Sequence, residues 1–561
     1  METIVSVLAK ETGIEVATVE NLLEVPPKPE MGDFAFPCFS LAKIHKKSPL
    51  AIAQDLAEKF RTELPKGITN VDFKGAYVNF FTDKNLLASQ VLDKVKDENF
   101  GSLKLDKKKV GIEYPAPNTN KALHIGHLRN MAIGEAITKM NENVGNEVYH
   151  LNLFNDRGIL ISKSMIAYEK YAKGKTSESE GVKGDKFVGE LYTRFSIESK
   201  ENPELEELAK EKLRLWEAGD IETRELWAKM NSWAYAGMQE TFDKFGLSKI
   251  DKNYFESEMY TEGKEIVEVG LAKGLFSKKE DGAVFIDLEK EKLGEKILLR
   301  SDGTSVYMTQ DLFLAEQKVR DFNLDNSYYV VGCDQEYHFK VLFNILEKMG
   351  LKKGWKHLSY GMVSLPSGKM KSREGTAVSA DDLIDETQEL AAKGIRERMS
   401  DELSDEEIKA RALKIALAAI KYTLLKVDIH KGIVFNPKEA LAFEGDTGPY
   451  LLYSYARASS IIRKVKSEGE VKIIDLKDSE IKLLKKIDSF EDVVKRSYEN
   501  LAPNLIANYC FELAQNFNEF YHACPVMGSD AKEFRLKLID GFRVVMKKGL
   551  GLLGIDVIEE M

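Results

Sequence analysis

The stretch VGIEYPAPNTNKALHIGHLRNMAIGEAITKM (110–140) carries three successive patterns that decide the fold. Its first five residues (110–114) are a short apolar run, which is typical of a buried strand. A loop rich in Pro and Asn follows, and residues 124–140 have apolar residues at helical spacing. NEVYHLNLFND (146–156) then predicts a second strand. Strand, loop, helix and strand in this order predict a βαβ unit and therefore a parallel sheet.

The rest of the 561-residue chain predicts three regions around this unit, which suits a prior of ~150 residues per domain. Residues 1–105 alternate helix and strand patterns and end in a charged linker, LKLDKKK (103–109). Residues 106–435 are predicted to hold the sheet, with a polar, helical insertion at about 171–290. Ser404 and Glu407 predict a capping box before an apolar-periodic helix. Residues 436–561 predict a separate helical bundle. Strand patterns return after the insertion in KILLRSDG (296–303), SYYVVGCD (327–334) and HLSYGMVSL (357–365).

Composition excludes several classes of protein. Hydrophobic residues at 43% and charged residues at 31% exclude a mostly disordered chain. The net charge of −10 excludes a wholly basic nucleic-acid coat, although a local basic patch stays possible. The four cysteines have no CxxC spacing, so neither a disulfide framework nor a zinc site is expected. Without an apolar run of ~18 residues, a cytoplasmic protein that binds no membrane and no metal is predicted.

The motif His124-Ile125-Gly126-His127 lies where the predicted helix begins. Free backbone N–H groups and the positive end of a helix dipole favour phosphate binding there. Gly126 lets a nucleotide approach the backbone, and the imidazoles of His124 and His127 can donate hydrogen bonds to phosphoryl oxygens. The alternative is a pair of surface or metal-binding histidines.

A second segment, LPSGKMKSREGTAVSADDLIDE (365–386), is a basic, Gly- and Ser-rich loop before a capped helix. Lys369, Lys371 and Arg373 would stabilise the charge of a triphosphate and of leaving pyrophosphate if the loop closed over them. The alternative is a solvated basic loop without a ligand.

Together the two segments resemble the HIGH and KMSKS signatures of class I aminoacyl-tRNA synthetases. Five ordered blocks are similar to the arginyl-tRNA synthetase family: EYPAPNTNKALHIGHLRN (113–130), LRSDGTSVYMTQD (299–311), VVGCDQEYHF (330–339), GKMKSREGT (368–376) and GDTGPYLLYSYARASSIIRK (445–464). The resemblance implies a Rossmann-type parallel-sheet catalytic domain of α/β class. It also implies an α+β N-terminal domain that touches the tRNA elbow and an all-α anticodon-binding bundle.

The resemblance further implies that the protein is a monomer and that it catalyses a two-step reaction. Arginine and ATP with Mg²⁺ would give arginyl-adenylate and pyrophosphate, and tRNA(Arg) would then accept the arginyl group. Lys369, Met370 and Lys371 would contact ATP. Ser372 stands where the second lysine of KMSKS belongs. Family members of this kind carry a lysine just before HIGH, so Lys121 is the candidate for the missing charge; the alternative is a solvated loop lysine.

By the same resemblance, Asp311 and Glu113 would bind the guanidinium of arginine, with Tyr307 against it. Tyr307 and Asp311 are four residues apart, so a helix would present them on one face. Asn118 and Gln335 would hold the α-amino and carboxylate groups. Tyr307 could instead be a core aromatic residue, and Asp311 a carboxylate on the helix surface. Glu113 could be a structural cap, and Asn118 and Gln335 could be turn residues.

The C-terminal bundle would read the anticodon by stacking and charge. Tyr453, Arg457, Tyr509 and Tyr521 are the candidates for tRNA contacts, although aromatic residues at helical spacing are more often core. GLGLLG (549–554) matches a dinucleotide fingerprint, but the chain ends too soon for the helix and strand that must follow, so a helix C-terminus is predicted. Two rivals stay open: another class I synthetase, or an inactive tRNA-binding scaffold.

Overall fold

The computed structural model describes residues 2–26, 28–260, 262–366, 378–399, 403–465 and 469–561. The chain divides into two compact units. The first comprises Met1–Phe100, Val465–Asp488 and Asn516–Phe542, and the second comprises Gly101–Lys464, Ser489–Gln515 and Arg543–Met561.

The first hundred residues form a small α+β fold in the first unit. Strands β1, β3 and β2 make an antiparallel sheet in that order. Val71, Val78 and Phe80 are fully buried between this sheet and its helices. The elements are α1 (Glu2–Thr12), α2 (Val16–Leu22), β1 (Phe34–Pro37), α3 (Ala42–His45), α4 (Pro49–Thr62), β2 (Ile68–Lys74), β3 (Tyr77–Thr82) and α5 (Lys84–Val95).

The second unit begins with the predicted βαβ unit, which is confirmed. The elements up to the middle of the chain are β4 (Lys109–Glu113), α6 (Ile125–Asn143), β5 (Glu147–Phe154), α7 (Ile159–Tyr171), α8 (Ser177–Glu180), α9 (Gly184–Glu198), α10 (Glu204–Glu217), α11 (Ile221–Phe245), β6 (Lys252–Phe255), α12 (Glu256–Met259), α13 (Gly263–Ala272), β7 (Ser277–Lys278), β8 (Val284–Leu288) and β9 (Gly294–Leu299).

The remaining elements complete the sheet and are then almost entirely helical, as predicted. They are α14 (Tyr307–Phe322), β10 (Asn326–Gly332), α15 (Glu336–Lys348), β11 (Gly354–Tyr360), β12 (Val363–Ser364), α16 (Ala380–Met399), α17 (Asp405–Leu425), β13 (Ile433–Val434), α18 (Pro437–Ala440), α19 (Gly448–Lys464), α20 (Asp478–Asp488), α21 (Phe490–Asn500), α22 (Pro503–Ala523) and α23 (Lys532–Leu552).

A five-stranded parallel sheet organises the second unit, with the order β11-β10-β4-β5-β6. From β4 the chain builds outward through β5 to β6, and then returns to place β10 and β11 on the other side of β4. In parallel α/β sheets, ligands bind outside the carboxyl ends of the strands where the order reverses. The crevice beyond β4 and β10 is therefore the expected site.

Helix α6 lies against the sheet through a glycine. A Cβ on Gly134 would lie 2.2 Å from the ring of Tyr114, so only glycine permits this approach. The ring of Tyr114 stacks on His150 with centroids 3.9 Å apart, and its hydroxyl donates to Glu135 at 3.1 Å. This packing fixes the loop between β4 and α6.

The insertion differs from its prediction in one respect. The range 171–290 is helical as far as Phe245, but strands then alternate with the helices α12 and α13. Strand β6 joins the parallel sheet as its edge, and β8 lies between β7 and β9 in an antiparallel sheet. The prediction of a helical insertion over 171–290 is therefore wrong for these strands. Strand β6 has four residues, two of them polar, which is too short for a period-two pattern to stand out.

Two local predictions are confirmed in the helical part. The Ser404 hydroxyl accepts the N–H of Glu407 at 3.3 Å, and the Glu407 carboxylate accepts the N–H of Ser404 at 2.9 Å, which is a capping box. The segment 549–554 ends α23 rather than binding a dinucleotide. Within the described part of the chain, no helix is long and apolar enough to cross a membrane.

Candidate active site

The imidazoles of His124 and His127 cap the N-terminus of α6. The N–H of Gly126 donates to Nδ1 of His124 at 3.1 Å, and the N–H of His124 donates to Nδ1 of His127 at 3.1 Å. Each ring thus satisfies one of the backbone donors that a helix start leaves unpaired. The two ring centroids lie 4.1 Å apart.

Both imidazoles are neutral at pH 7. Burial, and to a smaller extent the positive charge of Lys121, lowers the pKa of His124 to about 4. Burial, followed by the charges of His124 and Lys121, lowers the pKa of His127 well below its usual value. A neutral imidazole that accepts at Nδ1 carries its proton on Nε2. Each ring is therefore an uncharged donor at the edge of the sheet.

This geometry corrects one expectation about the helix start. The N–H groups of His124 and Gly126 are engaged by imidazoles rather than free for phosphate. An anion at this end of α6 would instead meet the two Nε2–H groups, supported by the positive end of the helix dipole. The sequence motif indicated the donors but not that the backbone N–H groups were already bound.

Lys121 and His124 line a cleft of ≈ 690 Å³ together with α9 of the insertion. Lys186 and Arg194 add positive charge to its wall, and negative charge comes from Glu190, Glu198, Glu201 and Asp382. Lys369, Met370 and Lys371 of the second signature fall at positions 367–377, outside the described residues. Ser379, which follows that segment, also lines the cleft and pairs with His124 by a single antiparallel bridge.

Arg129 ties α6 to the strand that precedes the second signature. Its fully buried guanidinium donates to the carbonyl oxygens of Gly361 at 2.7 Å, Lys431 at 2.8 Å and Ile429 at 3.1 Å. Burial lowers its pKa to about 10, so it keeps its charge at pH 7. Sequence reasoning missed this residue, although it stands two positions after His127 in the motif.

Helix α14 presents Tyr307, Asp311 and Lys318 along one face, as the predicted four-residue spacing requires for the first two. Tyr307 is the first residue of the helix and is 71% exposed. Asp311 Oδ2 lies 2.6 Å from Nε2 of His338, which belongs to α15. The pair at positions 311 and 338 joins two of the sequence blocks, but sequence reasoning gave no role to the histidine.

Glu113 ends β4 and is buried, as expected of a site residue at the edge of the sheet. Its carboxylate forms an ion pair with Lys318, whose side chain is fully buried. The negative charge that was predicted to face a guanidinium is thus already shared with a lysine of this chain. Lys318 also lies 4.4 Å from the ring centroid of Tyr329.

Asn118 and Gln335 lie at the carboxyl ends of different strands. Asn118 pairs with Asn155 just after β5 through a parallel bridge, where the Asn155 N–H donates to the Pro117 carbonyl at 3.0 Å. Gln335 ends a short turn after β10 and is exposed, and its amide donates to Asp334 at 3.3 Å. Both residues thus follow strands at the carboxyl end of the parallel sheet.

Glu256 is a site carboxylate that sequence reasoning missed. It begins α12 directly after β6, and it is 8% exposed. Burial raises its pKa to about 7, opposed by the charge of Arg157 and reinforced by those of Asp156 and Asp311. Among the residues that the structure describes, none forms a hydrogen bond or ion pair with this carboxylate. An acid at the carboxyl end of a strand was the available signal, as it was for Glu113, but β6 itself was not recognised.

Asp156 fixes the segment that carries Glu256. Its carboxylate accepts from the N–H and hydroxyl of Ser257 at 2.8 and 2.7 Å and from the hydroxyl of Tyr235 at 2.7 Å. Burial raises its pKa above the usual value. Asp156 therefore joins β5, the insertion helix α11 and the start of α12.

No group of three or more His, Cys, Asp or Glu side chains suited to a metal ion occurs among the residues with described positions. The histidine pair is instead committed to backbone N–H groups through both Nδ1 atoms.

The tRNA candidates differ in their surroundings. In α19, Arg457 donates to the hydroxyl of Tyr453 at 2.9 Å and lies 4.6 Å from its ring centroid. Tyr509 is 2% exposed and packs on Phe490 with centroids 5.5 Å apart. A ring buried in this way cannot stack on a base, so its position does not support that prediction. Tyr521, in the first unit, is 38% exposed.

Comparison with known proteins identifies the family. The chain matches the family model for "tRNA synthetases class I (R), catalytic domain" over residues 88–436. It matches "Arginyl tRNA synthetase N terminal domain" over residues 1–82 and "DALR anticodon binding domain" over residues 451–561. A protein named arginine–tRNA ligase from Treponema denticola is 45% identical, and the match covers 99% of this chain and 97% of that protein. The chain belongs to the arginyl-tRNA synthetase family.

Further similarities extend along the whole chain. A protein named arginine–tRNA ligase from Bacteroides thetaiotaomicron is 42% identical over 98% of this chain and 97% of its own. The solved arginyl-tRNA synthetase of Thermus thermophilus is 26% identical, with a TM-score of 0.82 over 100% of this chain and 99% of that one. The resemblance drawn from the five sequence blocks and the class I fold are thereby confirmed. The alternative of another class I synthetase family is excluded.

Proposed function

We propose that this chain, which acts as an arginine–tRNA ligase like its family, activates arginine in the crevice beyond β4, β5 and β10. L-arginine and ATP would give arginyl-adenylate and pyrophosphate, and a ribose hydroxyl at the 3′ end of tRNA(Arg) would then take the arginyl group. The observation that supports the proposal is that two kinds of group lie at the carboxyl end of one parallel sheet. Uncharged imidazole donors stand at the start of α6, and the carboxyl groups of Glu256 and Asp311 stand on α12 and α14.

The phosphates of Mg-ATP are assigned to the start of α6. His124 and His127 would donate through Nε2 to phosphoryl oxygens as negative charge builds up in the transition state. Gly126 leaves room for the nucleotide beside them. Lys121 would supply the positive charge that Ser372 does not, and Lys369, Met370 and Lys371 would contact ATP from the second signature.

The guanidinium of arginine is assigned to the carboxylates across the crevice. Asp311, held by His338, and Glu256 would be its main partners, because charge-assisted bonds to carboxylates suit its planar fork. Glu113 stays in the proposal as a third acid whose charge Lys318 balances. Tyr307 would pack against the fork.

The α-amino and carboxylate groups of arginine are assigned to Asn118 and Gln335. This end of the substrate must face ATP, because the carboxylate attacks the α-phosphorus and pyrophosphate leaves. No covalent bond to the enzyme is required. The rate would come from positioning and from donors aimed at developing charge.

The helical C-terminal region is assigned to the anticodon, with Tyr453, Arg457 and Tyr521 as tRNA contacts. Tyr509 is not kept, because its ring is buried. We also propose the division into an elbow-binding domain (1–105), a catalytic domain (106–435) and an anticodon-binding domain (436–561), supported by the three family ranges. A cytoplasmic monomer suits a translation enzyme.

The test is ATP–pyrophosphate exchange with each of the twenty amino acids, with and without total tRNA. We expect exchange with arginine alone, and only when tRNA is present, as relatives of this type require. Exchange with a different amino acid would mean that the assignment of Asp311 and Glu256 is wrong. Folded protein that binds tRNA but catalyses no exchange would favour the scaffold.

A further inference from the structure

The ammonium group of Lys183, the residue before α9, meets three oxygen atoms. Asp381 Oδ2 lies at 2.7 Å, Asp185 Oδ1 lies at 3.2 Å, and the Thr241 hydroxyl is the third. The contacts to Asp381 and Thr241 are hydrogen bonds, whereas Asp185 Oδ1 forms an ion pair with the ammonium and accepts no hydrogen bond. The side chain of Lys183 is 17% exposed and that of Asp185 is 1% exposed. The three oxygen atoms belong to residues of α9, α11 and α16.

Two arms of this cluster meet at the backbone of Leu123, the residue before His124. Asp185 Oδ2 accepts the N–H of Leu123 at 3.5 Å, the outer limit of a hydrogen bond. On the other side, Asp381 follows Ala380, whose N–H donates to the Leu123 carbonyl at 2.8 Å. The N–H and the carbonyl of one residue are thus held by two segments that Lys183 joins.

Two glycines of the insertion helices lie so close to neighbouring atoms that a side chain would not fit at either position. A Cβ on Gly189 of α9 would lie 2.8 Å from the backbone nitrogen of Ala122. A Cβ on Gly237 of α11 would lie 2.5 Å from Asp185 Oδ1. Gly189 thus lets the backbone of α9 contact the segment before His124, and Gly237 lets the backbone of α11 contact Asp185. A shift in α9 must therefore move the segment before His124.

We propose that Lys183 is a positioning residue that holds the His124–His127 pair in place through Leu123. By binding Asp185 and Asp381 at once, its ammonium fixes the segment from which His124 enters the helix cap. The insertion thereby sets where the two Nε2–H donors point. This inference rests on the proposed function, because it assumes that those donors act on ATP.

Two other ion pairs join the insertion to α16 and serve as a comparison. Lys186 lies 3.3 Å from Asp382, with side chains 43% and 57% exposed, and Lys244 lies 2.5 Å from Asp385, with side chains 27% and 55% exposed. Within the described residues, neither pair connects to Leu123 through a hydrogen bond of its own side chains. Exposed pairs of this kind contribute little. Lys244→Ala therefore removes one positive charge from the same interface and leaves the contacts of Lys183 unchanged.

The test is arginine-dependent ATP–pyrophosphate exchange of the full chain with tRNA present. We expect Lys183→Met to lower kcat by about 10- to 100-fold, because small misplacements of catalytic groups cost this much. The KM for arginine should stay within about twofold, since Asp311 and Glu256 are held by other elements. Lys183→Arg should restore most of kcat, and Lys244→Ala should change it by less than about twofold.

A double-mutant cycle separates positioning from general destabilisation. In a His124→Asn background, Lys183→Met should have little further effect on kcat, because its target is already gone. Additive effects, an equal rise in the KM for arginine, or unchanged kcat in Lys183→Met would each overturn the proposal. Asp381→Asn keeps the shape of its side chain and carries the same test if Lys183→Met does not fold. A wild-type chain inactive with arginine would instead count against the proposed function.

Discussion

The two sides of the crevice handle charge in opposite ways. At the start of α6, burial lowers the pKa of His124 to about 4, so the site offers uncharged donors to a highly charged ligand. On the side of α12 and α14, the proposed ligand has the opposite sign to the carboxylates, and burial raises the pKa of one of them, Glu256, to about 7. In the proposed assignment, the side that binds phosphate has no positive charge in its helix cap, whereas the side that binds arginine uses carboxylates, one of which changes charge near pH 7.

The difference explains what each side can discriminate. Neutral donors bind any phosphoryl group and act mostly when charge develops, so they contribute to rate. Carboxylates without a balancing lysine demand a cation, so they contribute to the choice of amino acid. Selectivity and rate should therefore respond to different substitutions.

The largest expected effect is the rejection of citrulline. Citrulline has nearly the shape of arginine but is neutral, and it would leave the carboxylates of Asp311 and Glu256 without a cation. We expect kcat/KM for citrulline to be lower than for arginine by about 10⁴-fold in exchange. Canavanine keeps the cationic fork and should be rejected far less. Similar rates for citrulline and arginine would contradict the assignment of Asp311 and Glu256 to the guanidinium.

The second largest effect is expected from loss of the Nε2–H donor of His124. His124→Asn keeps a capping side chain at the start of α6 but removes the Nε2–H, so kcat for exchange should fall by about 10²- to 10³-fold. The KM for arginine should change little. Circular dichroism and the melting temperature would show that the helix cap is kept. A main effect on the KM for arginine would show that the two sides are not separate.

A smaller effect is expected from pH. Glu256 is charged above its pKa, so in the free enzyme kcat/KM for arginine should rise as pH increases through about 7. If only the charged form binds well, the rise between pH 6 and pH 8 is up to about tenfold. Glu256→Gln should abolish this dependence and give a low, flat profile. A flat wild-type profile, or a rise that survives in the variant, would exclude this role.

The smallest effect separates two tyrosines of the helical region. Tyr453→Ala should weaken tRNA binding by about tenfold, since stacking of a base on an aromatic ring contributes about 1–3 kcal/mol. Tyr509→Phe keeps the buried ring and should leave tRNA affinity within about twofold. Filter binding of labelled tRNA(Arg) measures both. Equal losses of tRNA affinity in the two variants would mean that burial of the ring does not separate residues that contact tRNA from residues of the core.

The sequence predicts much of this molecule, for reasons that are local. The βαβ unit follows from periodicity in 110–156, and the capping box at Ser404 follows from residue spacing alone. Family resemblance supplied the candidate residues, and the family is confirmed. The edge strand β6 was missed because four residues carry too short a pattern. Partners such as Lys318 and His338 were missed because ion pairs between distant segments leave no mark in a single sequence.

The pairing of Nδ1 atoms with backbone N–H groups could not be predicted either, because it depends on ring orientation at a helix start. Burial shows the same limit. Tyr453 and Tyr509 both fit helical spacing, and only packing places the second one in the core. Local spacing thus predicts elements, whereas charge state and exposure depend on contacts made by the whole fold.

The most direct test of the neutral-donor account is a ¹⁵N NMR titration of the histidine side chains in the full chain. Of the eight histidines in the sequence, His124 and His127 can be assigned with single substitutions. The account predicts that both rings carry their proton on Nε2 and stay neutral from pH 8 to about pH 5. Titration of either ring near pH 6.5, or a proton on its Nδ1, would contradict the account.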